Sequence, residues 1–231
     1  QEQYLDFLRD LLKDKACIHL AYMTGILPIK KYGTHSALNM FDEFSMISPG
    51  PLAAYVGFTE KEAEQLCNRY KMEIEEVRAW YDGYSFPTEA AVYSPRSVVN
   101  SMLFGKIENY WNQTETFEAL QSYIDMNFEG LKDDVLSMIA GESVPVNTGS
   151  FTNDMTTFRT EDDVLTLLIH LGYLAYDLDH KTVKIPNNEI RQEYVESSYV
   201  MNLGYIAEIL NETKQGEVTY TVESGDSYYS I

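Results

Sequence analysis

The run "CIHLAYM", Cys17 to Met23, constrains this chain more than any other stretch. Apart from His19 it is apolar on both alternating faces. A strand of that kind wants a packed layer on each side and usually parallel neighbours. Parallel neighbours need crossover connections. Yet only one amphipathic segment precedes the run, with Tyr4, Leu5, Phe7, Leu8, Leu11 and Leu12 at helical spacing. No second buried parallel strand is legible downstream. The expectation is a chain that opens inside an α/β unit, as a fragment of a longer protein, and Gln1 in place of Met agrees with it. The run halts at Thr24-Gly25 and soon meets Pro28, Lys30 and Lys31. Two readings stand. One is a strand-ending turn in which Gly25 supplies a positive φ. The other is a strand edge facing a ligand, the usual binding place in open α/β sheets.

Charge narrows the partners. The 231 residues carry 17 basic and 36 acidic side chains, a net charge of −19. That balance repels a phosphate backbone, and no basic stripe offsets it, so nucleic acid is not expected as a partner. From Gln192 onward there are seven acidic residues and one lysine, which reads as a solvated acidic surface. No run approaches the eighteen apolar residues of a membrane span. No basic start followed by an apolar run marks a secretory signal. Cys17 and Cys67 both sit in apolar stretches and read as buried free thiols of a reducing, cytoplasmic compartment. No metal site is expected from two lone cysteines and four scattered histidines. Cys17 and His19 would share a strand face, but a buried cysteine is usually inert, so Cys17 is not read as a nucleophile.

The middle of the chain reads as helical. Thr59 and Glu62 form a capping box ahead of a helix through Leu66, Cys67 and Tyr70. "EIEEVRAWYDGY" gives a shorter helix with Ile74, Val77 and Tyr81, stopped by Gly83. Ser94-Pro95 is an N-cap with proline at the first helical position. "TFEALQSYIDM" and "LKDDVLSMIAG" add two helices. Thr160 and Asp163 suggest a second capping box, opening the buried helix "DVLTLLIHLG" that Gly172 ends. "YLAYDL" and "TVKIPN" then read as strands joined by "DHK", followed by the helix "NEIRQEYVESS". Helix, hairpin and helix in that order are the tail of a winged helix. The last thirty residues offer a helix, "LGYIAEILNE", and a strand, "EVTYTVE".

Six stretches in this order, "AYMTGILPIKKYG", "SALNMFDEFSM", "GFTEKEAEQL", "WYDGYSF", "VYSPRSVVNSM" and "ENYWNQT", resemble the predicted AAA-ATPase-like family. These are bacterial P-loop proteins, many with a PD-(D/E)XK nuclease-like domain at the carboxyl end. The resemblance runs from Tyr4 to about Ser198. It implies that Cys17–Met23 is the sensor strand. Thr24 is then the sensor residue, and Thr24, Gly25 and Lys30 lie beside the phosphates of ATP and its Mg²⁺. The departures are as specific as the match. No G-x-x-x-x-G-K-[ST] loop occurs, and no apolar strand ends in the Asp-Glu pair of a Walker B motif. The nuclease signature is missing too. The chain alone is not expected to hydrolyse ATP.

The resulting expectation is a mainly α chain with some β, an α/β fragment. Residues 1–58 would end a P-loop-type core, 59–112 form a helical lid, and 113–200 form a winged-helix-like domain. Residues 201–231 add a helix and strand of unclear role. Asp82 reads as a helix-end turn through its own side chain. Trp80, Tyr84, Phe86, Tyr110 and Trp111 read as core or inter-domain packing. His170 reads as a core histidine, and Arg96 is not read as an arginine finger. The wing sets Lys181 and Lys184 against Asp177 and Asp179, which suits protein docking better than DNA. Function is expected to be nucleotide-dependent switching of a partner or further domain. The rival is a non-enzymatic module that binds a protein partner or itself.

Overall fold

The computed structural model describes residues 2–25, 40–111, 124, 128, 130–151, 158–200, 221–224 and 227–230. The chain mixes helices with short antiparallel strands, in two three-stranded sheets and one two-stranded ribbon. The expected parallel strand is not among the described residues. Helix α1, Glu2–Leu12, forms as its spacing predicts, with Arg9 paired to Asp6 at 2.7 Å. After it, Cys17–Met23 runs as turns and unpaired coil, with Leu20 85% and Tyr22 77% exposed. The physical reason is that a strand exists only if neighbours take its N–H and C=O groups. No described strand lies alongside it. Cys17 is accordingly exposed, contrary to expectation, whereas Cys67 is buried.

From residue 44 to 111 a helical unit is built around a small sheet. Strand β1, Phe58–Thr59, pairs with β3, Glu89–Tyr93, which also pairs with β2, Tyr84–Phe86, all antiparallel. Thr59 ends β1 and caps α2, Glu60–Tyr70, and its N–H donates to the Glu62 carboxylate at 2.9 Å. The capping box read from the sequence is thus present. Helix α3 spans Ile74–Tyr81, and α4 spans Pro95–Phe104 with Ser94 as N-cap. The inner faces of α2, α3 and α4 bury Ala63, Cys67, Val77, Tyr81, Val98 and Met102 together with Tyr93 of β3 and Tyr110 of the loop after α4. On the outer side Arg78 pairs with both Glu60 and Glu75.

Residues 130–200 form a hairpin unit. Helix α5 is Leu131–Ile139, and strand β4 is Val144–Pro145. Helix α6, Glu161–His170, is followed by β5, Ala175–Asp177, and β6, Thr182–Lys184. Strand β6 lies between β4 and β5, and both pairings are antiparallel. Helix α7, Asn188–Val200, closes the unit. The core holds Leu131, Val135, Val164, Leu168, Tyr173, Ile190 and Tyr194, all fully buried. The second capping box does not form as read. The Asp163 carboxylate accepts the Arg159 N–H at 2.9 Å and the Ser150 hydroxyl at 3.0 Å. The Asp163 carboxylate thus reaches past the N-cap Thr160 and bonds the preceding loop.

The two units are stitched where β2 meets β5. Tyr84, Phe86, Val92, Ala53 and Ala175 share a small apolar cluster there. The Tyr84 hydroxyl donates to the Gly172 carbonyl at 2.5 Å. Asn187 donates to the Asp82 carbonyl at 2.7 Å, while its side-chain oxygen accepts the Ile190 N–H and caps α7. Gly83, at φ +120°, passes so close that a Cβ would sit 2.0 Å from the Pro186 carbonyl oxygen. Near the carboxyl end, β7, Thr221–Ser224, pairs with β8, Ser227–Ser230, and with neither three-stranded sheet. The helices expected at "TFEALQSYIDM" and "LGYIAEILNE" lie outside the described residues, apart from helical Ile124. No helix among the described residues is long and apolar enough to cross a membrane.

Substituting Gly83→Ala combines a disfavoured φ with a backbone collision, so it should cost roughly 2–4 kcal/mol of unfolding free energy. Urea denaturation followed by circular dichroism reads this directly, as a lowered midpoint at unchanged slope.

Candidate functional site

Helix α7 looks polar in sequence, yet most of its polar side chains between Glu189 and Ser197 are buried. Glu189, Ile190, Glu193, Tyr194 and Ser197 are each 0% exposed, and Arg191 is 8% exposed. The cause is position, since α7 packs between α3 on one side and α5 on the other. Residues four apart share a helix face. Glu189, Glu193 and Ser197 therefore form one stripe, facing α4 and the loop after it. Arg191 faces the other way and donates to the Ile139 carbonyl at the end of α5. A cation there complements the helix carboxyl terminus. Burial depresses its pKa.

The acidic stripe organises the helical unit's last loop. Ser97 donates to Glu189 Oε2 at 2.8 Å, and the Tyr110 N–H donates to Oε1 at 2.8 Å. Ser94 Oγ lies 3.0 Å from Ser97 Oγ, which extends the chain of hydroxyls to the cap of α4. Asn109 Nδ2 donates to Glu193 Oε1 at 2.5 Å, and Asn109 Oδ1 accepts the Trp111 N–H at 2.8 Å. From below, the Tyr81 hydroxyl donates to the Glu108 carbonyl at 2.9 Å. Glu193 Oε2 and Ser197 Oγ are buried without a hydrogen-bond partner. Burial pushes the Glu189 carboxyl up to about 7, against the pull of the Tyr110, Ser97 and Trp111 donors. Burial raises Glu193 as well, with Asn109 opposing and Glu196 adding to the rise.

This arrangement has no room for a substrate. The Glu189 oxygens are occupied by the protein's own donors, and the side chain is sealed from solvent. What it does chemically is fix a loop and two units in one geometry. Among the described residues, no group of three His, Cys, Asp or Glu side chains could hold a metal ion. An open cleft of about 340 Å³ lies between the sheets, lined by Ser85 and Phe86 on one side and by Asp177, Asp179 and Lys184 on the other.

The residues singled out in the sequence fall elsewhere. Thr24 and Gly25 are exposed on coil. Lys30 and Lys31 lie outside the described residues. Tyr84, Phe86 and Tyr110 are buried, as expected of packing residues, and Trp111 sits edge-on to Tyr173 at 5.7 Å. Asp82 follows the last residue of α3. Burial raises its carboxyl, which the Gly83 N–H opposes, while Oδ1 has no hydrogen-bond partner. His170 is half-buried against Phe151, with ring centroids 5.9 Å apart, and burial lowers its pKa. At the hairpin tip Asp177 holds its own turn, accepting the Asp179 and His180 N–H groups at 2.9 and 3.0 Å. Sequence reasoning missed Glu189 and Glu193. Their signal was the four-residue spacing to Ser197, set beside the apolar pair Ile190 and Tyr194.

No family model matches the chain, and no solved structure matches it. It is 34% identical over 119 residues to a protein of Azotobacter chroococcum mcd 1 described as an uncharacterized protein in the vnfD 5' region. That match covers 48% of this chain and 22% of the relative, so the chain spans well under two thirds of the relative's length.

Replacing Glu189 by Ala strands the Tyr110 amide without an acceptor and leaves the Ser97 hydroxyl only Ser94 to bond. The expected loss is roughly 1–3 kcal/mol, the cost of one buried orphan. Thr24→Ala, at an exposed position, should change stability by less than about 0.5 kcal/mol. Parallel urea titrations of the two variants check the contrast.

Proposed function

We propose that this chain is the coupling part of an AAA-ATPase-like protein: a helical lid fixed to a winged-helix-like domain, passing nucleotide state to a partner or further domain. The observation that carries this reading is the Glu189 clamp, because a lid and a wing must be rigidly joined for one to move the other. The order helix, strand, helix, hairpin, with β4 paired to the hairpin's second strand, suits a winged helix. The acidic surface suits a protein partner and a cytoplasmic setting.

Thr24 keeps its proposed role as sensor, with Gly25 and Lys30 near the phosphates of ATP and Mg²⁺ in the intact protein. The described residues of this chain do not fit the nucleotide by themselves. Thr24 stands exposed with no described strand beneath it, so nothing among those residues fixes its hydroxyl opposite a phosphate. No hydrolytic step is assigned to the chain. A second reading has an observation of its own. Tyr4, Phe7 and Leu11 form an exposed apolar stripe on α1, which favours an interaction module docked on a protein.

Calorimetry with ATP and ADP in Mg²⁺ separates the two. The first reading expects binding by the full gene product and none by this chain, with affinity falling about ten-fold or more in Thr24→Ala, the loss of one charge-assisted hydrogen bond. Absence of binding by the full product leaves the interaction module, whose partner a pull-down would then identify.

A further inference from the structure

We propose that the amino-terminal arm, residues 2–25, docks on the same arm of a second copy of this chain, with the runs around Ala21 pairing antiparallel across a two-fold axis. The inference rests on the interaction-module reading and names its partner.

The arm has two parts, and each lacks a neighbour. Helix α1 has 11 residues. Isolated helices shorter than about 12–15 residues are marginal in water, so it needs a surface to lie on. Leu8 and Leu12 are half-buried, but the adjoining stripe is open, with Tyr4 61%, Phe7 58% and Leu11 48% exposed. The run after the helix is in the same position. Among the described residues, no backbone group from His19 to Gly25 has a backbone hydrogen-bond partner. Leu20, Tyr22 and Met23 in this run are exposed. An unpaired segment with apolar side chains on both faces suits a strand that pairs outside its own fold.

Charge selects the partner. Residues 1–25 hold four acidic and three basic side chains, so they carry −1 of the net −19. Two copies of so acidic a chain repel each other through the remainder, and this arm lets them approach. Arg9 is already paired with Asp6 at 2.7 Å and with Asp10 at 3.1 Å, so the helix brings little charge to the face it meets. A cationic partner, which the acidic remainder would attract, gains nothing from this arm. A second arm is apolar and nearly uncharged, like the first.

Symmetry sets the register. A two-fold contact joins the same patch on both copies. With the axis at Ala21, Leu20 of one copy stands opposite Tyr22 of the other, an aliphatic–aromatic cross-strand pair. The two most exposed apolar side chains of the run then cover each other. A two-stranded ribbon is marginal alone and is stabilised when a helix packs on it, which the two α1 stripes provide. The arm also has the length of roughly 20–30 residues that one side of a specific interface uses.

Sedimentation equilibrium on the full chain should show a monomer–dimer equilibrium below about 100 µM. Leu11→Glu and Tyr22→Glu, both at exposed positions, should each weaken dimerisation about ten-fold or more, because each buries an unpaired charge in the contact. Ala21→Cys in a Cys17→Ser background reads the register. In an oxidising glutathione buffer it should link two copies about ten-fold faster than the wild-type chain does through its exposed Cys17. A wild-type chain that stays monomeric, a dimer indifferent to both glutamates, or coupling through Ala21→Cys no faster than through Cys17 overturns the proposal. A monomeric wild type that captures another protein in a pull-down, and loses it in Leu11→Glu, overturns the second copy and leaves the interaction-module reading standing.

Discussion

A carboxylate removed from water must be given something in return, and in this protein that debt shapes the centre of the molecule. Glu189 is offered the Tyr110 amide, the Trp111 amide and the Ser97 hydroxyl. Those donors come from a loop and from the first turn of α4. The loop can present them only because Tyr81 braces it at Glu108 and Asn109 ties its backbone to its own side chain. The carboxylate thus selects one conformation of a loop that has little apolar burial of its own beyond Tyr110 and Trp111. A hydrophobic residue of similar size at this place could fill the space, but it would leave the Tyr110 amide unpaired.

Around that centre the apolar contacts add area, and the backbone contacts add register. The cluster of Tyr84, Phe86, Val92, Ala53 and Ala175 is small for an interface between two units. Its precision comes from neighbouring polar and steric constraints. Tyr84 reaches Gly172, Asn187 reaches Asp82, and Gly83 lets the chain pass Pro186. The two units consequently meet in one way, although each has a core of its own.

Legibility in the sequence tracked the range of the interactions. Thr59 with Glu62, Ser94 with Pro95, Gly83 and the 173–187 hairpin depend on neighbours a few residues away, and all appear where the pattern puts them. The Asp163 box failed because Arg159 and Ser150 of the preceding loop take both carboxylate oxygens, and Ser150 stands thirteen residues away. Cys17–Met23 failed for a deeper reason. Its hydrophobicity has the pattern of a strand, but pattern cannot supply the neighbouring strands that make one. The acidic stripe was illegible in the opposite sense. Glutamates on a helix ordinarily mean a wet face. Only contacts across some eighty to ninety residues of chain, Tyr110 and Ser97 to Glu189, make this face dry.

The two-sidedness of α7 has a consequence for how the chain can change over evolutionary time. One face carries the Glu189 stripe toward the lid, and another carries Arg191 toward the end of α5. Each residue added to a helix rotates all downstream side chains by about 100°. A single inserted codon between Asn187 and Glu189 would carry the acids to the places of Ile190 and Tyr194 in the apolar core and Arg191 to the exposed place of Gln192, breaking both contacts at once. The same insertion at the hairpin tip, among Asp179, His180 and Lys181, would change only a surface turn. Helix α7 is thus less able to drift in length than the hairpin tip, and that rigidity of spacing, rather than the identity of any single residue, is what distant relatives would be expected to share.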